Sequence, residues 1–416
     1  MKQKQDVPKG WKHIKLKKVL TQDVKNGYSP NCPEEPNGCW ILSLGNLTEN
    51  GFDPTQAKPA PKCDSRVKDF LLEPGDFLIS RSNTLNKVGR SVLFRGEIEN
   101  CSYPDLLMRF RVDKSQITNE FLESYLRSSI VRKYIQSRAS GTSGSMVKIN
   151  KTVVEKIPIV LPPHPEQRAI ADLLSTWDEA IEKTKRLIQA KEANIKELIQ
   201  RIMGRDAINA NSWSIVHLGE LFSEVTRKVG EKELTPYSIS AGIGFVSQRE
   251  KWGKDISGSQ HKNYTHLKAG EFSYNKGNSK RYQQGCVYLL KEGEICVPKV
   301  FISFKPRTKN VVPEFFEHYF IADYHARELK RYITSGARSD GLLNLNKKDF
   351  FKIMVPCPSP DEQKYIAEAL TASQQEINLL KQLADKYKAQ KRGLMQKMLT
   401  GEWRVKPEII NQYREV

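Results

Sequence analysis

Two stretches of the chain carry side chains suited to reading the hydrogen-bonding edges of a planar ligand. Arg81-Ser82-Asn83-Thr84, with Asn86 and Lys87, combines a forked guanidinium, amides, hydroxyls and an ammonium. Lys276, Asn278, Ser279, Lys280, Arg281, Tyr282, Gln283 and Gln284 form a second such run. Arginine donates two parallel hydrogen bonds, and an Asn or Gln amide donates and accepts at once. These are the pairings that guanine and adenine edges accept in a major groove. Two glycine-rich stretches read as loops before the last strand of each half: Ser140-Gly141-Thr142-Ser143-Gly144-Ser145-Met146, leading to Lys148, and Ser335-Gly336-Ala337-Arg338-Ser339-Asp340-Gly341. Backbone amides in such loops can approach phosphates closely; glycine serves equally to allow positive φ in a turn.

Catalytic chemistry has little to work with. No glycine-rich adenosylmethionine loop pairs with an Asn/Asp-Pro-Pro-aromatic segment, and neither glycine-rich stretch carries a Walker lysine. The seven histidines are scattered; His261 and His266 lie close but form no metal-ligand pattern, and we read them as surface residues. Seven cysteines, an odd number without CxxC spacing, suit reduced thiols and a cytoplasmic setting. No apolar run approaches the roughly 20 residues of a membrane span, and Met1–Gln5 leads into no apolar segment of a secretory signal.

The formal net charge is +19, and its placement says more than its size. Residues 1–164 hold 26 Lys/Arg against 17 Asp/Glu, and residues 207–359 hold 23 against 15. Residues 165–204 are balanced at 7 against 7, and residues 361–403 nearly so at 7 against 6. A positive field concentrated in two regions points to a polyanion met twice.

The two regions are copies. Ile157-Pro158-Ile159-Val160-Leu161-Pro162-Pro163-His164-Pro165-Glu166-Gln167 returns as Ile353-Met354-Val355-Pro356-Cys357-Pro358-Ser359-Pro360-Asp361-Glu362-Gln363. Gly10-Trp11 returns as Ser212-Trp213, and Gly75-Asp76-Phe77-Leu78-Ile79-Ser80-Arg81 as Gly270-Glu271-Phe272-Ser273-Tyr274-Asn275-Lys276. The repeated unit is therefore a whole domain plus a helix. Short β-type runs (Phe77–Ser80, Ser91–Phe94 and Leu107–Val112; Glu271–Tyr274, Cys286–Leu290 and Lys299–Phe304) alternate with turn residues, and helical patterns follow around 119–137 and 313–333. That mixture predicts an α+β domain with a curved or partly closed sheet.

Each copy continues into a long helix with a heptad seam. Apolar positions fall at Ile170, Leu174, Trp177, Ile181, Ile188, Ile195, Leu198 and Ile202, and again at Ile366, Leu370, Ile377, Leu380, Ala384, Tyr387, Leu394 and Met398. The 4-3 spacing needs a partner helix, and the other copy is the nearest one available. Lys191 and Lys391 also fall on the seam, where a charge either fixes register or snorkels outward; we favour snorkelling.

The tryptophan near each start, the Gly-Asp-Phe-Leu-Ile-Ser-Arg segment, the Ser-Gly stretch and the Leu-Pro-Pro-x-Pro-Glu-Gln signature before a long helix, all repeated, resemble the specificity subunits of Type I restriction–modification systems. The resemblance covers essentially the whole chain. It implies an α+β fold of two tandem-repeated target-recognition domains joined by two long helices in an antiparallel coiled coil with pseudo-two-fold symmetry. The expected segments are 1–162 and 207–358 for the domains, 163–206 and 359–403 for the helices, and 404–416 for a tail. It also implies that each domain reads half of a bipartite site in double-stranded DNA while the helices set the unread spacer. Two methyltransferase subunits would dock on the helices, and two restriction subunits join in some systems. No cofactor is expected on this chain; the complex would use S-adenosylmethionine, and ATP with Mg²⁺ where a restriction subunit is present.

On that resemblance DNA contacts are assigned to Arg81, Ser82, Asn83, Thr84, Asn86, Lys87, Ser140, Gly141, Thr142, Ser143 and Lys148 in the first domain. In the second they are assigned to Lys276, Asn278, Ser279, Lys280, Arg281, Tyr282, Gln283, Arg338 and Ser339. The second copy departs from the pattern at Glu271, Lys276 and Cys357, which implies that the two domains read different half-sites. A DNA enzyme acting alone and a coiled-coil adaptor that binds only proteins are the competing readings.

Overall fold

The structure, a computed structural model, describes residues 7–49, 51–62, 64–143, 146–210, 213–277, 279–333 and 342–414. The chain forms two compact units, one of residues up to Lys185 with Leu383 onward, the other of Arg186–Gln382.

The first unit is built on a four-stranded antiparallel sheet in the order Lys25–Asn26, Leu107–Phe110, Phe77–Ser80, Ser91–Leu93. Every residue of Phe77–Ser80 is buried, so the strand reads as an unbroken apolar run instead of alternating. Phe77 and Phe110 stack on one face at 5.3 Å. The helical pattern around 119–137 forms two helices, Asn119–Leu126 and Ser129–Gln136, because Ser128 caps the second by accepting from the Val131 N–H. Phe121, Leu122, Tyr125 and Leu126 turn one face of the first helix into the core.

The second unit repeats the plan with the order Phe222–Glu224, Ile302–Pro306, Phe272–Asn275, Cys286–Leu289. Phe222, Phe272, Phe304 and Phe316 form a largely edge-to-face aromatic core at centroid distances of 5.1–5.6 Å. The helix Pro313–Ile321 starts on proline, and the next, Ala326–Lys330, follows a turn at Asp323 with φ +65°. In each unit a two-stranded sheet ties the tryptophan segment to the signature strand. Lys12–Lys15 pairs with Pro158–Leu161, and Ser214–His217 with Met354–Cys357, both antiparallel.

The long helices run His164–Met203 and Pro360–Thr400. Every apolar position of the two seams is buried or half-buried. In the first unit Trp177 meets Tyr387 edge-on at 5.7 Å, and Asp178 accepts from Lys391. In the second, Lys191 pairs with Glu376 at 2.7 Å, while Ile195 and Ile202 share a core with Ile366 and Leu370. Earlier on the first helix, Ile170 and Leu174 share a core with Leu394 and Met398, beyond Tyr387, while in the second unit the later Ile195 and Ile202 meet residues before Glu376, so the segments pair antiparallel. Lys191 and Lys391 each run from the seam to an exposed carboxylate on the opposite helix, Glu376 and Asp178, so each snorkels to the rim and also ties the register.

Candidate nucleic-acid interface

The acidic residue of the Gly-Asp segment anchors the strand that begins beside it. Asp76 is fully buried, accepts from the Glu73 N–H at 2.8 Å, and pairs with Arg111. Glu271 accepts from the Lys268 N–H at 2.9 Å and pairs with Arg227 at 2.7 Å. The longer side chain thus reaches an arginine from another part of the domain, and the departure from Asp leaves the anchor intact. Each anchor fixes the start of a buried strand whose far end delivers the candidate residues to the surface.

In the first domain the two predicted stretches meet. Ser82–Asn83, Met146–Lys148 and Ser140–Ser143 form one three-stranded sheet, with Val147 opposite Asn83 and Lys148 opposite Ser82. Ser140–Ser143 is therefore a strand and not the expected loop; the close approach of Gly141 to the Met146 carbonyl requires glycine, since a Cβ there would lie 2.5 Å from that oxygen. The side chains of Thr142 and Ser143 lie outside the described residues. Thr84, Asn86, Lys87, Ser140, Gly141 and Lys148 are exposed. Asn83 is half-buried and its side chain accepts from the Thr84 N–H at 2.9 Å. Arg81 is half-buried, its guanidinium reaching the Asp105 carbonyl at 3.4 Å. Ser82 is corrected: at 1 % exposure it sits inside the sheet and has no surface to offer DNA.

The Thr84–Arg90 turn is held from behind. Gln136 donates to the Leu85 carbonyl at 3.4 Å and Arg132 to the Asn86 carbonyl at 3.0 Å. These positioning residues lie on the helix Ser129–Gln136, far along the chain, and nothing local in the sequence marks them.

In the second domain Lys280, Arg281 and Gln283 are exposed. Ser279 shapes their turn, its Oγ accepting from the Tyr282 N–H at 3.0 Å. Two expectations are corrected there. Tyr282 is 2 % exposed and donates its hydroxyl to the Ile321 carbonyl at 3.2 Å, so it is a core residue. Lys276 is half-buried and donates to the Leu345 carbonyl at 3.1 Å, which makes it a strut between segments. Asn278, Arg338 and Ser339 lie outside the described residues.

The repeated Glu-Gln signature proves to be architectural. Trp11 donates its indole N–H to Glu166 at 3.0 Å, and Trp213 does the same to Glu362 at 3.3 Å. Gln167 accepts from the Thr118 N–H at 2.8 Å and donates to the carbonyls of Gln116 and Pro162, both at 3.0 Å. Gln363 accepts from the Val312 N–H and donates to the Pro358 carbonyl, both at 2.9 Å. One residue pair thus clamps each domain to the start of its long helix. Arg404 adds a fork onto Glu166 at 2.9 and 2.6 Å, and Val405 joins the first unit's core.

The paired histidines are corrected as well. His266 is 1 % exposed and bonds Glu294 at 2.7 Å, and His261 is half-buried against the Leu234 carbonyl at 2.7 Å. Among the described residues no group of three or more His, Cys, Asp or Glu could hold a metal ion, and no helix is long and apolar enough to cross a membrane.

Known proteins agree with this architecture. A model of the family described as the Type I restriction modification DNA specificity domain matches residues 8–192 and again 212–388. The protein described as the putative MjaX type I restriction enzyme specificity subunit of Methanocaldococcus jannaschii is 24% identical, covering 96% of this chain and 95% of its own. The EcoKI specificity subunit of Escherichia coli K12 is 26% identical over 47% of this chain and 42% of its own. Among solved structures, the Type I restriction–modification S subunit from M. genitalium superposes with a TM-score of 0.56 at 16% identity, covering 96% of this chain and 98% of that one. A chain from a study of complex assembly in the type I system gives 0.59 at 14% identity, covering 96% and 100%. With both halves matched and the clamp repeated in each, the chain belongs to the Type I restriction–modification DNA specificity family.

Proposed function

We propose that each basic domain reads one half of a bipartite sequence in double-stranded DNA, and that the chain is a non-catalytic scaffold. The observation that carries the reading is that a buried strand in each domain leads into a turn of exposed donors a few residues on: Thr84, Asn86 and Lys87 after Phe77–Ser80, and Lys280, Arg281 and Gln283 after Phe272–Asn275. Lysine and arginine contacts to phosphates supply affinity, while amides and forked donors discriminate base edges. The long helices, at about 1.5 Å per residue each roughly 60 Å long, set the unread spacer. Two methyltransferase subunits dock on them and bring S-adenosylmethionine to the bound site. Where restriction subunits join, ATP and Mg²⁺ enter with them. The setting is the cytoplasm.

Two assays test this reading. The purified chain should shift a DNA band with steep salt dependence, and should transfer no label from adenosylmethionine. Turnover abolished by a point substitution would replace the scaffold with an enzyme acting alone. Absence of DNA binding would favour the protein-only adaptor.

A further inference from the structure

The first domain contains an arginine-lined cavity that adjoins the reading surface. It encloses about 350 Å³ between the Thr84–Arg90 turn and the junction of helices Asn119–Leu126 and Ser129–Gln136. Arg90, Arg127 and Arg132 line it together with Ser91, Asn86 and Glu49. Arg127 buries both Nε and Nη2 without a hydrogen-bond partner. Ser91 is 4 % exposed, and its Oγ is likewise unpartnered. Arg132 gives its donors to the neutral carbonyls of Asn86 and Val88. Its burial, with Arg90 nearby, pushes its pKa down. Among the described residues none of the three arginines forms an ion pair, and the lining carboxylate, Glu49, is exposed.

Uncompensated buried cations and unmet donors cost stability unless something supplies acceptors. A group with several anionic oxygens meets that need best, since guanidinium forks match phosphate geometry. The feature is not a by-product of the duplicated fold. Strand register places Cys286 and Val287 in the second domain where the first has Arg90 and Ser91. Alignment of the following helices puts Ile321 and Ala326 at the positions of Arg127 and Arg132.

We propose that this cavity binds a phosphate group, with Arg127 and Ser91 donating from inside and Arg90 and Arg132 flanking it. Two sources share that chemistry. One is a phosphodiester of bound DNA, because Asn86 belongs both to the cavity and to the exposed reading run; this source rests on the proposed DNA-reading function. The other is a free phosphate-bearing small molecule, which does not rest on it.

The test uses the full chain and the variants Arg127→Met and Arg90→Gln, the second a half-buried position that keeps the test alive if Arg127→Met does not fold. DNA binding is measured against salt on a duplex carrying the recognised site, and inorganic phosphate is titrated calorimetrically without DNA. If the source is DNA, each variant lowers the slope of log K against log salt by about 0.9, the share of one phosphate. One methylphosphonate linkage in the duplex then weakens the wild type and not the variants. If the source is a free ligand, slopes stay equal while inorganic phosphate binds the wild type and not the variants. A wild type that takes phosphate but binds no DNA keeps the cavity and retires the DNA reading. Variants identical to wild type in both assays overturn the proposal.

Discussion

Glu166→Gln should separate the two copies of the signature sharply. Glu166 is 1 % exposed, and its carboxylate accepts the Trp11 indole at 3.0 Å and both arms of Arg404 at 2.9 and 2.6 Å. Glu362 is exposed; it accepts Trp213 at 3.3 Å and otherwise caps its own helix through the Ser359 N–H at 3.0 Å. Glutamine keeps one acceptor oxygen, removes the charge facing Arg404, and turns an NH₂ toward other donors. Removing one partner of a buried ion pair costs about 3–5 kcal/mol. The Arg404 side chain is 40% exposed, so water recovers part of that, leaving about 2–3 kcal/mol for Glu166→Gln. Glu362→Gln, at the surface, should cost under about 1 kcal/mol. Urea titration followed by tryptophan fluorescence reads both, a midpoint shift at constant slope reporting the stability change. The first variant should also expose the chain beyond Arg404 to protease, because Ile410 and Tyr413 pack against the same core. Equal midpoints for the two variants would refute the reasoning.

The remaining predictions concern binding, pH and spacing. Ser82→Ala should leave DNA affinity unchanged, while Lys87→Ala should lower the salt slope by about 0.9; a band-shift series over salt checks both. His325 is fully buried with neither ring nitrogen bonded, and burial pushes it down to about 3; burial first, then Lys291, takes His318 to about 4. Both stay neutral when folded and charge near 6.5 when unfolded, so the unfolded state binds more protons and stability falls as pH drops from 6.5 toward 4. Asp323, raised to about 6 by burial from 3.8, opposes this between those two values and cancels part of it. His325→Phe should therefore flatten the thermal midpoint against pH across that window, and an unchanged profile would contradict the assignment. Four residues inserted after Ala190 should change the tolerated spacer or abolish binding, tested on duplexes of graded spacer length.

What was legible in the sequence was the local repetition. The 4-3 spacing from Ile170 to Ile202 and from Ile366 to Met398 marks the covered side of each helix without knowledge of its partner. The buried strands Phe77–Ser80 and Phe272–Asn275 announce themselves as short runs bounded by glycine turns. Errors arose where long-range pairing decides. Ser82 stands in a two-residue strand, too short to show a period, and is buried beside Lys148 across the sheet. Ser140–Ser143 looks like a loop by composition, yet pairing with Met146–Lys148 makes it a strand. Tyr282 suits either a groove or a core, and only its contact with the Ile321 carbonyl decides. The signature's Glu and Gln were visible as a motif, but their work is done on Trp11 and Thr118, distant in sequence.

The central claim is that the two domains read separate halves of one DNA site. The most direct test co-expresses the chain with a methyltransferase subunit, maps methylated adenines by single-molecule sequencing, and repeats the map after exchanging one domain for that of a relative. The account predicts one bipartite motif in which each exchange rewrites a single half-site and leaves the other half and the spacer unchanged. A folded, stable complex that methylates nothing, or an exchange that alters both half-sites together, would contradict it.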